Sequence, residues 1–248
     1  MFSKQRRINF MKNIILLTGR GGSKSIASKN VYPVLGRPLA FYPINAAKKA
    51  KKVDEIFVST DCNLIRSLAD KMGINIIDRP DRLSEDRSEL IEAINHAVEQ
   101  IRGEINYLIT MHCNCGVHKK GLIDECIEVL DKNEEADSCV SGYIDYSVHP
   151  FRTKKISERG YLRDWLEVPS NVSANRQSLE PCFVLDGAVR VMRYRKCFPA
   201  STNSPFPFLG DKITFVENAG IGDVHSLDDI ALTERFLRAN GWNEEITI

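Results

Sequence analysis

What most constrains this chain is a repeated alternation of short apolar runs with stretches of helical spacing. Asn13–Thr18 (NIILLT) is short, apolar and ended by glycine, which suits a strand buried in a parallel sheet. Leu39–Lys51 has helical spacing and ends in lysines, where cations favour a helix C-terminus. Glu55–Ser59 reads as the next strand, Asn63–Met72 as a helix stopped by Gly73, and Ile74–Ile77 as a third strand. Ser88–Ile101 follows as a helix, Tyr107–Met111 as a strand, Leu122–Leu130 as a helix and Ser138–Ile144 as a strand. Regular β-α-β alternation predicts an α/β fold, a mainly parallel sheet with helices on both faces.

The pattern breaks between about residues 146 and 181, where Pro150, Pro169, Phe151, Tyr161 and Trp165 stand among charges without clean periodicity. This stretch reads as an excursion from the sheet. Apolar β-type residues return at Phe183–Met192 and Ile213–Val216, and Leu227–Ala239 closes the chain as a helix. The expected organisation is one domain over residues 11–248, preceded by a basic extension, residues 1–10, with Met11 as an alternative start.

Charge and cysteine usage narrow the partners. The 34 basic and 33 acidic residues leave a net charge of +1, which argues against a nucleic-acid or membrane-surface binder. The longest apolar run, about Ile14–Leu17, falls far short of the roughly 18–20 residues of a membrane helix, and residues 1–10 lack a signal-peptide core. The 7 cysteines are odd in number and without framework spacing, so reduced thiols in a cytoplasm are expected.

The most informative segment follows the first strand: Gly19-Arg20-Gly21-Gly22-Ser23-Lys24. In a doubly wound sheet ligands sit at the carboxyl ends of strands, and glycine lets backbone N–H groups close on phosphate. Arg20, Lys24 and Lys29 add charge suited to a triphosphate, with Asn30 beside them. Two standard phosphate motifs fail. The position where a P-loop needs its second glycine is Lys24, and no Gly-Lys-Ser/Thr follows; Lys24 also replaces the third glycine of the dinucleotide fingerprint.

Residues 20–24 (RGGSK), Lys29-Asn30 and Gly36-Arg37-Pro38-Leu39 together resemble the opening of the cytidylyltransferases that make CMP-sialic acid and related CMP-sugars. The resemblance continues through Val58-Ser59-Thr60-Asp61, through Arg79-Pro80 with Leu83, Asp86 and Ser88, and through Asn175-Arg176-Gln177. It ends with Asp186-Gly187-Ala188 and with Asp223-Val224-His225-Ser226-Leu227-Asp228-Asp229.

The resemblance implies a Rossmann-like sheet carrying CTP over the glycine-rich turn, an acceptor hydroxyl attacking the α-phosphorus, and release of pyrophosphate. It assigns nucleotide binding to Arg20, Gly21, Gly22, Ser23, Lys24, Asn30, Arg79 and Ser88. Catalysis falls to Lys29, Arg20 and Asp223, and acceptor binding to His112, Asn114, Arg176, Gln177 and Asp186. A divalent ion, Mg²⁺ with Mn²⁺ or another as alternative, would sit at Asp223 and His225. The acceptor implied is an acidic, sialic-acid-like sugar, and the excursion would pack against a second subunit in a homodimer. Such chemistry rests on positioning and on neutralising phosphate charge.

Three departures bear on the acceptor. His225 stands where relatives place a second metal carboxylate, although Mg²⁺ prefers oxygen. Residues 111–118 (MHCNCGVH) replace a proline-containing loop that ends in arginine. Asp186 replaces asparagine and predicts a negative charge beside the acceptor. A nucleotidyltransferase for another acceptor, such as a phosphonate or a different hydroxyl, is one alternative, and a nucleotide-binding relative without turnover is another. His112, Cys113, Cys115 and His118 also raise a zinc or metal-carrying reading, but the spacing of Cys113 and Cys115 is a poor match to tetrahedral pairs.

Overall fold

A computed structural model of the chain describes residues 11–23, 25–200 and 205–243. Its strands are β1 (Lys12–Thr18), β2 (Pro33–Val34), β3 (Arg37–Pro38), β4 (Glu55–Thr60), β5 (Asn75–Asp78), β6 (Ile105–His112), β7 (Ser138–Ile144), β8 (Lys154–Ile156), β9 (Leu162–Asp164), β10 (Phe183–Arg193) and β11 (Ile213–Glu217). Its helices are α1 (Phe41–Lys48), α2 (Asn63–Lys71), α3 (Leu90–Val98), α4 (Leu122–Lys132), α5 (Tyr194–Cys197) and α6 (Leu227–Ala239).

Strand order in the seven-stranded sheet is β11-β7-β10-β6-β1-β4-β5. β1 explains why. Ile14, Ile15, Leu16 and Leu17 are all fully buried, with alternate residues serving two different cores. Ile15 and Leu17 pack under α1, α2 and α4 with Ile44, Ile65 and Ile127. Ile14 and Leu16 face α3 and α5 through Ile94, Ala97 and Cys197. A strand buried on both faces belongs at the centre of a doubly covered sheet. A third apolar cluster joins Leu39, Tyr42, Ile230 and Leu237, holding α6 over the β2–β3 hairpin.

The chain runs outward from β1 through β4 to β5, then returns to the other side of β1 as β6. The carboxyl ends of β1 and β6 thus flank a topological switch point, where open α/β sheets bind ligands. Thr18 and His112 stand in register at that edge.

One strand runs against the rest. β10 is antiparallel to both β6 and β7, with an irregularity between Leu185 and Arg190. The excursion contains a small separate hairpin, β8–β9, that turns at Gly160 with φ +79°. Ile156, Tyr161, Leu162 and Trp165 on and beside it are each at least 60% exposed. The Gly36-Arg37-Pro38-Leu39 motif proves to be half of another tight hairpin, β2–β3, whose turn puts Leu35 and Gly36 at positive φ. No helix among the described residues is long and apolar enough to cross a membrane. The basic extension, residues 1–10, lies outside the described residues.

Candidate functional site

At the switch point lies a cleft of about 310 Å³. It is lined by Thr18, Gly19, Arg20, Gly22, Ser23, Lys29, Asn30, Arg79, Ser88, His112, Asn114, Asp223 and His225, with Leu83, Glu85, Asp86, Glu89, Leu90 and Ala93 opposite. Segments far apart in the chain meet here because β1 and β6 are neighbours in the sheet.

The glycine-rich turn is shaped by specific contacts. A Cβ on Gly19 would lie 2.7 Å from both Cβ and Sγ of Cys113, so only glycine fits at that position without displacing its neighbour. The Gly21 N–H donates to Asp61 Oδ1 at 2.9 Å, which anchors the turn to the end of β4. Gly21 is accordingly not among the cleft-lining residues, contrary to its expected role against phosphate. Gly22 faces open space and Ser23 lines the cleft. Asn30 Nδ2 donates to the Arg20 carbonyl at 2.8 Å and braces the turn from the other side. Lys24 lies outside the described residues.

Two cations enter the cleft. Arg20 Nη2 pairs with Asp86 at 2.8 Å and Nη1 donates to the Ser84 carbonyl at 3.2 Å, tying the turn to the opposite wall. Lys29 Nζ donates to the Val224 carbonyl at 2.6 Å. Burial, with a smaller contribution from Arg20, lowers the Lys29 pKa from the usual lysine range, while the nearby Asp223 carboxylate opposes the shift. A partly desolvated ammonium held in this way is placed in advance for phosphate charge.

Arg79 is buried, and its donors are engaged: Nε reaches Ser59 Oγ at 3.1 Å and Nη2 the Ser59 carbonyl at 2.8 Å. It forms part of the cleft wall while fastening the end of β4. Ser88 Oγ donates to the Arg82 carbonyl at 2.7 Å. Ser88 precedes α3, whose first turn is closed by the Glu92 carboxylate accepting from the Glu89 N–H at 3.2 Å.

Asp223, Asn114 and His225 form one cluster. Asn114 Nδ2 donates to Asp223 Oδ2 at 2.9 Å, and His225 Nε2 lies 3.1 Å from Asp223 Oδ1. The Val224 N–H donates back to the Asn114 carbonyl at 2.9 Å, locking this segment to the end of β6. Asn114 therefore lines the cleft as a clamp on Asp223. Among the described residues, no three His, Cys, Asp or Glu side chains gather as a metal-binding group. Asp223 and His225 nevertheless meet, as expected, at the cleft.

His112 projects into the site with a pKa pushed down to about 3 by burial and by the cations Arg190, Arg79 and Lys29, against the pull of Asp223. Its imidazole is neutral at physiological pH. Cys113 and Cys115 are fully buried, and burial raises the Cys113 thiol to about 12. Cys113 packs under Gly19, and Cys115 Sγ lies 3.6 Å from the Asp186 carbonyl. Both cysteines are packing residues, so residues 112–118 fold as part of the sheet edge and form no zinc cluster.

Three expected acceptor residues lie elsewhere. Asp186 is fully buried; its carboxylate accepts from Ser141 Oγ at 2.6 Å, the Ala188 N–H at 2.9 Å and Asn218 Nδ2 at 2.7 Å. These bonds turn the charge into the β7–β10 irregularity and away from the cleft. Arg176 and Gln177 lie in an exposed short 3-10 turn, Arg176–Ser178, with the Arg176 guanidinium 5.3 Å from the Tyr146 ring. Neither lines the cleft.

Sequence reasoning missed the acidic wall, Glu85 and Glu89 beside Asp86, and the buried Arg190 of β10. The signal for Arg190 was present: an arginine stands among the apolar Ala188, Val189, Val191 and Met192.

The chain is similar in sequence and in fold to known proteins. The chain is 28% identical over 181 residues to an N-acylneuraminate cytidylyltransferase of Streptococcus agalactiae, covering 72% of this chain and 43% of that protein. It is 29% identical over 128 residues to a pseudaminic acid cytidylyltransferase of Campylobacter jejuni, covering 50% of this chain and 55% of the relative. The chain thus spans roughly half, or less, of the length of these curated relatives. Among solved structures, its fold resembles a CMP:2-keto-3-deoxy-manno-octonic acid synthetase complexed with CTP, at a TM-score of 0.68 and 12% identity, covering 92% of this chain and 99% of that one. A 4-diphosphocytidyl-2C-methyl-D-erythritol synthase from Anaerococcus prevotii is also similar, at a TM-score of 0.63 and 14% identity, with the same coverage. Residues 14–162, more than half of the chain, match the family model described as Cytidylyltransferase, and the chain belongs to the cytidylyltransferase family.

Proposed function

We propose that this chain transfers CMP from CTP to a hydroxyl of an acidic, sialic-acid-like sugar, releasing pyrophosphate and giving a CMP-sugar for glycan synthesis. The observation that carries the reading is the convergence of Arg20, Lys29 and Asp223 on one cleft at the carboxyl ends of β1 and β6. The relatives named above, cytidylyltransferases for N-acylneuraminate and pseudaminic acid, supply the acceptor class.

In this reading the triphosphate lies across the glycine-rich turn. The Lys29 ammonium, fixed by the Val224 carbonyl, stabilises charge on the phosphate oxygens as the acceptor hydroxyl loses its proton to solvent, its oxygen bonds to the α-phosphorus and the bond to pyrophosphate breaks. Arg20 exchanges its contact with Asp86 for phosphate oxygens, which loosens the opposite wall as the nucleotide enters. Leu83, Leu90 and Ala93 offer the base an apolar surface.

The residues fit a divalent cation. Mg²⁺ needs one or two carboxylates beside substrate phosphates, and Asp223 offers carboxylate oxygens at the cleft with His225 beside them. Bound there, it would add charge neutralisation at the phosphate oxygens. Asn114 then acts by holding the Asp223 carboxylate in one orientation.

The exposed apolar side chains of β8–β9 support a homodimer built on that hairpin, and the reading takes the enzyme as cytoplasmic. Pyrophosphate release from CTP, assayed over a panel of acid sugars with Mg²⁺ and with Mn²⁺, tests the reading. Release dependent on one acid sugar is the expected result. Release from a different class of acceptor alone, or none, would remove it.

A further inference from the structure

On the sheet face that carries the cleft, β10 and β6 bury two polar side chains with nitrogen or oxygen atoms that have no hydrogen-bond partner among the described residues. Arg190 is 5% exposed, and its Nε and Nη1 donate to nothing among the described residues. Thr110, its register partner on β6, is 1% exposed, and its Oγ1 is equally unpartnered.

The nearby acids Asp223 and Asp186 act on the guanidinium through charge, and neither accepts a hydrogen bond from its Nε or Nη1. The Asp186 carboxylate accepts from Ser141, Ala188 and Asn218, and Asp223 accepts from Asn114 with His225 Nε2 at 3.1 Å. Arg190 instead rests with its guanidinium 5.2 Å from the Phe206 ring centroid. Arg79 offers the contrast: it is similarly buried, yet it donates to Ser59. Buried polar groups are as a rule hydrogen-bonded, and buried donors left without acceptors are costly. Two such groups in register, one of them cationic, leave hydrogen-bond donors free for an anion beside the cleft.

We infer that Arg190 and Thr110 form the seat for the carboxylate of the acceptor, and that Arg190 is a specificity-determining residue for an acidic acceptor. This rests on the CMP-transfer reading above. Position separates the seat from the triphosphate: β10 lies two strands from β1, roughly 10 Å across the sheet at about 4.8 Å per strand. His112, at the end of the intervening strand β6, feels the Arg190 charge. A planar guanidinium beside a hydroxyl donor matches a carboxylate well. The seat also resolves why Asp186 does not repel an acidic acceptor, since its charge is committed elsewhere.

The test uses acetate as the probe, with chloride as control at matched ionic strength, and reads the melting midpoint of wild type, Arg190→Met and Thr110→Val. Acetate should raise the wild-type midpoint by a few degrees, Thr110→Val by less, and Arg190→Met not at all. Without acetate, Arg190→Met should melt no lower than wild type, because buried donors without acceptors have been removed. A residue with only a packing role would give the reverse. Calorimetry with CTP should give Arg190→Met a wild-type Kd, whereas its KM for an acid-sugar acceptor should rise about tenfold or more. A wild type indifferent to acetate, an Arg190→Met variant that keeps the acetate response, or a loss confined to CTP affinity would each overturn the inference. Failure of CTP to bind even the wild type would instead remove the CMP-transfer reading, and the acetate comparison would still decide whether the anion seat exists.

Discussion

Gly19 and Cys113 are locked together: the missing side chain of one is the space occupied by the other. A Cβ on Gly19 would stand 2.7 Å from Cys113 Cβ and Sγ, and the Cys113 N–H donates to the Thr18 carbonyl at 2.9 Å. The glycine-rich turn after β1 and the unusual loop after β6 are one packed unit. Gly19→Ala should therefore destabilise the fold by about 1–3 kcal/mol through overpacking and weaken nucleotide binding with it. Cys113→Ser should leave zinc content at zero and CTP affinity near wild type. Thermal melts, metal analysis and calorimetry on the two variants check both expectations.

Lys29→Ala should separate chemistry from folding. Removing a charge placed for the transition state is expected to lower kcat about 10²–10³-fold. The lost bond to the Val224 carbonyl should cost only about 1–2 kcal/mol of stability. Steady-state kinetics beside a denaturant titration measures the two losses; a rate that falls only in proportion to unfolded protein would make Lys29 structural.

Acid should weaken the fold through its buried histidines. Burial lowers the His118 pKa to about 4, with Asp186 and a hydrogen bond to the Ala188 backbone opposing. In the unfolded chain the value is about 6.5. Between those two values the unfolded state binds more protons, so stability is fully present above about 6.5 and is lost as pH falls towards 4. The contribution of His118 is about 3 kcal/mol by this reckoning. His112, depressed to about 3, titrates in the same direction. His118→Leu should flatten the slope of unfolding free energy against pH across this window; an unchanged slope would contradict the assignment.

The β8–β9 hairpin leads to a prediction about assembly. Ile156 and Leu162 pair across the hairpin, and both side chains are largely exposed. Sedimentation of the wild type should give a dimer, and Ile156→Glu with Leu162→Glu should give a monomer of unchanged melting temperature. A monomeric wild type would assign the hairpin another role.

Much of the scaffold was legible because each strand and helix of the core carries its own periodicity. Ser138–Ile144 and Leu227–Ala239 fall where the pattern puts them, and the other central elements differ by a few residues at their ends. The antiparallel course of β10 was not legible, since apolar alternation marks a strand without giving its direction. The β8–β9 hairpin escaped because its strands are short and exposed, with no buried face to impose a pattern. For the site, sequence order located the cleft through Arg20, Lys29, Arg79 and Asp223, which the fold brings together. It misjudged Asp186, because position in a motif does not say which partners a carboxylate finds, and here Ser141 and Asn218 claim it. Arg176 and Gln177 lie in a stretch of little regular structure that carries them outside the cleft.

The central claim is that the cleft over the glycine-rich turn holds CTP. Calorimetric titration of CTP, with ATP, GTP and UTP as controls and Mg²⁺ present, tests it most directly in wild type, Arg20→Ala and Lys29→Ala. The account predicts binding selective for CTP, weakened about tenfold or more in Arg20→Ala by loss of a charge-assisted phosphate contact. Absence of nucleotide binding, or equal affinity for all four nucleotides unaffected by either substitution, would contradict it.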